Sequence, residues 1–196
     1  MPPLTQTPPV GRNPGPKWPR VIALLCLWCG GISVSAQTEQ SREYEIKAVF
    51  LFNFSQFVEW PPAAFAGADA PLVIGVLGQD PFGAQLDETV RDEKVGHRSI
   101  LIRRFRKVEE IDICHILFIS SSETGRLDQI MEQLGERSVL TVSDGEGFAL
   151  RGVMIRFVTE RKKIRLRINL LAAQSAGLTL SSKLLRPAEI VTMEGP

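Results

Sequence analysis

EYEIKAVFLFNFSQFVEWPP, residues 43–62, decides the fold. It holds Tyr44, Phe50, Phe52, Phe54, Phe57 and Trp60, six of the twelve aromatic side chains that follow residue 36. Turning successive residues by about 100° gathers Ile46, Val49, Phe50, Phe54, Phe57 and Trp60 on one broad face, with Ala48, Ser55 and Glu59 opposite. The stretch therefore reads as a helix running to Trp60, stopped by Pro61 and Pro62, neither of which donates a backbone hydrogen bond. Leu51 and Phe52 widen the apolar arc beyond what one buried face needs. A second element or a partner chain is expected to cover it. Asn53 falls inside the arc as an amide bonded to nearby backbone.

Upstream, residues 1–36 carry Arg12, Lys17 and Arg20 and no acid, then an apolar run from Val21 to Val34 and the pair Ser35-Ala36. This reads as a secretory signal peptide cleaved after Ala36, leaving residues 37–196 as one exported domain. An uncleaved anchor is the competing reading. Cys26 and Cys29 each follow a bulky residue, which does not suit lipid attachment. The whole chain has 23 basic and 22 acidic residues; beyond the leader 20 face 22, a net charge of −2, which speaks against nucleic acid as a partner. Cys114 is the one thiol after residue 36, so an internal disulfide is excluded there and a buried, inert thiol is expected.

Downstream, Pro71–Leu77 reads as a buried strand, and Asp80 as the cap of a helix beginning at Pro81 and continuing through Phe82, Leu86 and Val90. Further strands are expected over 99–105, 114–119 and 138–142. Between the last two, Ser120-Ser121-Ser122-Glu123 opens a helix with inner residues Leu127, Ile130, Met131 and Leu134, closed by Gly135. Val153, Ile155 and Phe157, then Ile164, Leu166 and Ile168, alternate with polar residues around a turn at 160–163, a β-hairpin. Residues 169–178 form a small-residue helix. The fold class is α/β: a single domain, its mostly parallel sheet flanked by helices, ending in that hairpin and helix.

No nucleophile with a base, metal cluster or carboxylate pair is apparent, and an enzyme is not expected. Cys114 and His115 are adjacent in a strand and point to opposite faces. Gly78 and Gly83 have the spacing of a phosphate loop, but Ala84 and Gln85 stand where lysine and Ser/Thr are required. Asp144-Gly145-Glu146-Gly147 is too short of oxygen ligands for a calcium loop. In a parallel sheet the loops after the strands share one edge. Gly78, Asp80, Ser121, Ser122 and Asp144 are thus candidates to line a crevice for an anion or small polar ligand, although helix caps alone account for Asp80 and Ser120. Arg161, Lys162, Lys163 and Arg165, with Arg167 and a second cluster at Arg103, Arg104, Arg106 and Lys107, are either charge-guarded strand edges or a docking face for an acidic partner.

Four segments in order, KAVFLFNFSQFVEWP (Lys47–Pro61), PLVIGVLG, CHILFIS (Cys114–Ser120) and RINLLAAQSAGLTLSSKLL (Arg167–Leu185), resemble the YfiR-like periplasmic proteins. The likeness runs from about Tyr44 to Val191. It implies a small, non-catalytic α/β domain without cofactors, often a homodimer. It also implies binding to the periplasmic region of an inner-membrane diguanylate cyclase or sensor kinase, holding cyclic-di-GMP and biofilm output down until an outer-membrane lipoprotein sequesters the repressor. Relatives have further cysteines and a structural disulfide, which this chain lacks beyond residue 36. Phe54, Phe57, Trp60, Asn169, Ser181 and Ser182 match positions of the resemblance, and Phe57 and Trp60 are its candidate partner-facing residues. The alternative to a repressor is a small-molecule sensor that uses the crevice.

Overall fold

The computed structural model describes residues 33–191; residues 1–32, most of the segment read as a leader, together with Cys26 and Cys29, lie outside the described residues. The chain divides into two compact units, Met1–Gln37 and Thr38–Pro196, and every strand belongs to the second. The elements in order are α1 (Ser33–Phe57), β1 (Val58–Glu59), β2 (Leu72–Leu77), α2 (Ala84–Val90), β3 (Lys94–Val95), β4 (Arg98–Phe105), β5 (Ile116–Ile119), α3 (Leu127–Leu134), β6 (Leu140–Ser143), β7 (Ile155–Glu160), β8 (Lys163–Asn169), α4 (Leu170–Ser175), β9 (Thr179–Leu180), α5 (Ser182–Leu185) and β10 (Glu189–Val191). Among the described residues no helix is long and apolar enough to cross a membrane.

Eight strands form one sheet in the order β10-β8-β7-β6-β5-β2-β4-β3. From β4 to β7 all neighbours are parallel, as the strand–helix–strand alternation predicts. The hairpin turns β8 against β7, and β10 then runs parallel to β8. Period-two alternation sends Leu72, Ile74, Val76, Ile116, Phe118, Leu140 and Val142 to the face covered by α1 and α2, and Leu77, Leu117 and Ile119 to the face covered by α3. All six residues of β2 are buried, the mark of a central strand covered on both sides.

Three sequence readings are corrected. The first helix ends at Phe57, not Trp60, because Val58–Glu59 pairs antiparallel with Thr179–Leu180 and the Phe57 carbonyl accepts from the Ser181 amide. Its buried face is also rotated from the one expected. Lys47, Ala48, Leu51, Phe54, Ser55 and Val58 are buried, while Ile46 and Val49 are 51% and 46% exposed. Small Ala48 lets the helix approach the sheet, and Lys47 finds carboxylates at the sheet edge. Third, α2 starts at Ala84 rather than Pro81, since Asp80 accepts from the Phe82 amide (2.8 Å) in a local turn. The short strands β3, β9 and β10 lie outside the elements expected from sequence, and β1 falls within the expected first helix. Gly135 closes α3 as expected, with φ 52°.

Candidate functional site

In the parallel block the strands lie in the order β4-β2-β5-β6-β7, so the direction of winding reverses between β2 and β5. Ligands of open α/β sheets sit outside the carboxyl ends of strands near such a reversal. Here that point is filled by the protein's own side chains. Gly78 follows β2 with φ 89°, and a Cβ there would lie 2.6 Å from both Glu123 Oε1 and Ser122 Oγ. The Gln79 amide donates to Ser122 Oγ (3.0 Å), Ser122 Oγ donates to Glu123 Oε1 (3.2 Å), and Arg126 pairs with Glu123. Asp80 is engaged with the Phe82 amide and with Arg104 Nε (2.7 Å). Of the five crevice candidates, Gly78 and Ser122 thus knit two loops together, and Asp80 ties its own loop to β4.

Ser121 and Asp144 instead line an open notch of ≈ 390 Å³ one strand further along, with Glu43, Tyr44 and Lys47 of α1 and Arg156, Phe157, Val158 and Thr159 of β7. It exists because β6 stops at Ser143 while β7, paired to it only through Ile155 and Arg156, continues to Glu160. Asp144 Oδ2 accepts from Lys47 Nζ (2.6 Å) and Tyr44 OH (2.7 Å). Lys47, 3% exposed, also pairs with Glu43 (2.7 Å), and Glu43 accepts from Thr159 (2.9 Å). Burial first, then the hydrogen bond to Asp144, raises the Tyr44 pKa well above the ordinary phenol value, so the hydroxyl remains a donor. The Arg156 side chain has no hydrogen bond or ion pair among the described residues, and its Nε is buried without a partner. Tyr44, Lys47 and Arg156 escaped the sequence reading: the register of α1 against the sheet brings Tyr44 and Lys47 to Asp144, and the pairing of β7 with β6 places Arg156 beside Ser143.

The opposite, amino-terminal edge of the sheet carries a second polar cluster. Trp60 Nε1 donates to the His115 carbonyl (3.1 Å), and His115 Nδ1 accepts from the Val73 amide (3.0 Å), so the neutral ring carries its proton on Nε2, which is buried without a partner. Phe65 stacks on the imidazole at 4.3 Å, and the Arg98 guanidinium lies 3.9 Å from the Phe65 ring centre. Burial lowers the His115 pKa to about 4, with Arg98 adding to the shift and the Ala64 backbone opposing it. Between the ordinary value of about 6.5 and this one, the unfolded chain binds a proton that the folded chain refuses. Stability therefore falls as pH drops from 6.5 towards 4. Urea midpoints at pH 7, 6 and 5 should decline for the wild type and for His97→Gln, whose imidazole is exposed, and stay flatter for His115→Gln. Equal slopes in all three would contradict this. Cys114, on the other side of the sheet, bonds the Ile116 carbonyl (3.0 Å), and burial pushes its thiol up to about 12.

Phe57 and Trp60, the partner-facing candidates, are both half-buried, and the Trp60 indole is engaged internally. The basic candidates are exposed. Arg161 and Lys162 form the two-residue turn between β7 and β8 with φ 50° and 63°; Lys162 pairs with Glu39 (2.5 Å), while Arg161, Lys163 and Arg165 have no ion pair among the described residues.

The mostly parallel sheet, covered by helices on both faces, defines a single α/β domain. A sequence model of DUF4154, YfiR/HmsC-like, matches residues 44–189, more than half the chain, and the chain belongs to that family, one of periplasmic regulatory proteins. No curated protein matches it. Among solved structures, a conserved domain protein from Vibrio cholerae O1 biovar El Tor strain N16961 aligns with a TM-score of 0.45 and 11% identity, over 60% of this chain and 54% of that one.

Proposed function

We propose that this chain is a non-catalytic periplasmic repressor that binds the periplasmic region of an inner-membrane diguanylate cyclase, or a related sensor, and holds cyclic-di-GMP and biofilm output down. Membership of the YfiR/HmsC-like family carries the reading. The hairpin tip supports a contact there. Two-residue hairpin turns with both φ positive favour Asn-Gly, and a larger residue in the left-handed region costs roughly 1–2 kcal/mol. This chain places Arg161 and Lys162 there, holding a cluster of cations at the tip. Such strain at an exposed turn is usual where the side chains are used. The partner surface is acidic, and a homodimer and an outer-membrane lipoprotein belong to the same proposal.

The test exchanges the turn for its preferred residues. The Arg161→Asn, Lys162→Gly double variant should be more stable than the wild type by about 1–2 kcal/mol in urea melts. In a deletion strain with raised cyclic-di-GMP it should fail to restore the low level that the wild-type gene restores. No rise on deletion would refute the repressor reading; full repression by the variant would move the contact away from the hairpin. A second reading, a small-molecule sensor, is favoured by the notch at Asp144 and Arg156.

A further inference from the structure

We propose that the notch binds a small organic monoanion, its carboxylate held by the Arg156 guanidinium and its polar remainder facing Ser121; this rests on the sensor reading above. Arg156 of β7 stands directly opposite Arg167 of β8. Like charges in that position oppose pairing unless each is neutralised. Arg167 is neutralised, by Glu189 (2.9 Å) and Glu160 (3.9 Å). Arg156 has no such group among the described residues, although its Nε is buried.

The carboxylates already in the notch are taken. Both donors to Asp144 fall on Oδ2, from Lys47 and Tyr44, and Glu43 is shared by Lys47 and Thr159. Lys47 thus has two anions, and Arg156 is left as the one cation of the notch without one among the described residues. The two cations and two carboxylates of the notch sum to zero, so a ligand that pairs with Arg156 brings no more than a single negative charge. A planar carboxylate matches the guanidinium fork, whereas a doubly charged phosphate would sit beside Asp144 and Glu43 and be repelled. The volume of ≈ 390 Å³ suits a metabolite rather than a polymer.

The probe is acetate, with inorganic phosphate and chloride as comparisons at constant ionic strength. The readouts are the Arg156 Nε–H and Ser121 amide resonances of the purified, isotopically labelled protein. Acetate should shift both saturably. Arg156→Gln should weaken the Ser121 response about tenfold or more, as loss of a charged hydrogen bond does, while Arg165→Gln leaves it unchanged. Should Arg156→Gln not fold, the wild-type comparison decides alone. Linear drift of equal size with acetate and chloride overturns the site, and saturation by phosphate but not acetate overturns the carboxylate assignment. Neither result touches repression, which the deletion strain reads separately.

Discussion

Lys47→Met lowers the stability of the domain by about 3–5 kcal/mol, the usual cost of removing one partner from a buried ion pair. Lys47 is 3% exposed, and the Asp144 side chain it neutralises is 11% exposed. Without the ammonium, Asp144 retains only Tyr44 as a donor among the described residues. The penalty is the stranded carboxylate rather than the lost attraction. Asp144→Asn strands the ammonium in turn, although Glu43, 2.7 Å away, remains to receive it, so this variant should cost less. In urea melts the double variant should cost clearly less than the two singles together, a coupling expected of groups in direct contact. Additive losses, or a loss under about 1 kcal/mol for Lys47→Met, would mean that α1 is not anchored to the sheet edge through this pair.

Phe54→Ala should cost a similar ~3–5 kcal/mol, as large-to-small changes of a buried aromatic do. Its ring is fully buried and stacks on Phe157 with centroids 5.8 Å apart and planes 19° from parallel. Deleting it removes a central contact between α1 and the hairpin. Ile46→Ala and Val49→Ala, earlier on the helix and on its exposed side, should change stability by no more than about 0.5 kcal/mol. The contrast tests the rotation of the helix directly. Equal losses at Ile46 and Phe54 would restore the face that the aromatic pattern suggests.

That pattern misled for a physical reason. The spacing Ala48, Leu51, Phe54, Ser55, Val58 is a regular inward stripe, but five other aromatic rings in the same stretch weigh against it when apolarity alone is counted. Lys47 looks like a surface residue until its carboxylates arrive, and Asp144 is 97 residues away. Long-range partners of this kind leave no periodic trace. The central strands were legible because each is a continuous apolar run bounded by turn residues, and the hairpin because its alternation is strict. The strands β1, β9 and β10 are two or three residues long and give no pattern at all; tertiary pairing alone makes them strands. In the candidate crevice, topology placed the loops at one edge correctly. Which loops leave space was beyond it, since Gly78 is closed off by Ser122 and Glu123, and the notch depends on where β6 stops.

The pairing of Val58 with Leu180 and of Glu59 with Thr179 also dictates a schedule. Contacts so distant along the chain carry a large closure entropy and form late. While the polypeptide is being made, the N-terminal helix has neither its Asp144 anchor nor its β9 clasp, and its aromatic face lies open to other chains. The domain locks shut only when almost the last of its residues has emerged, so a truncation that removes residues 179–191 should leave a sticky, half-assembled body.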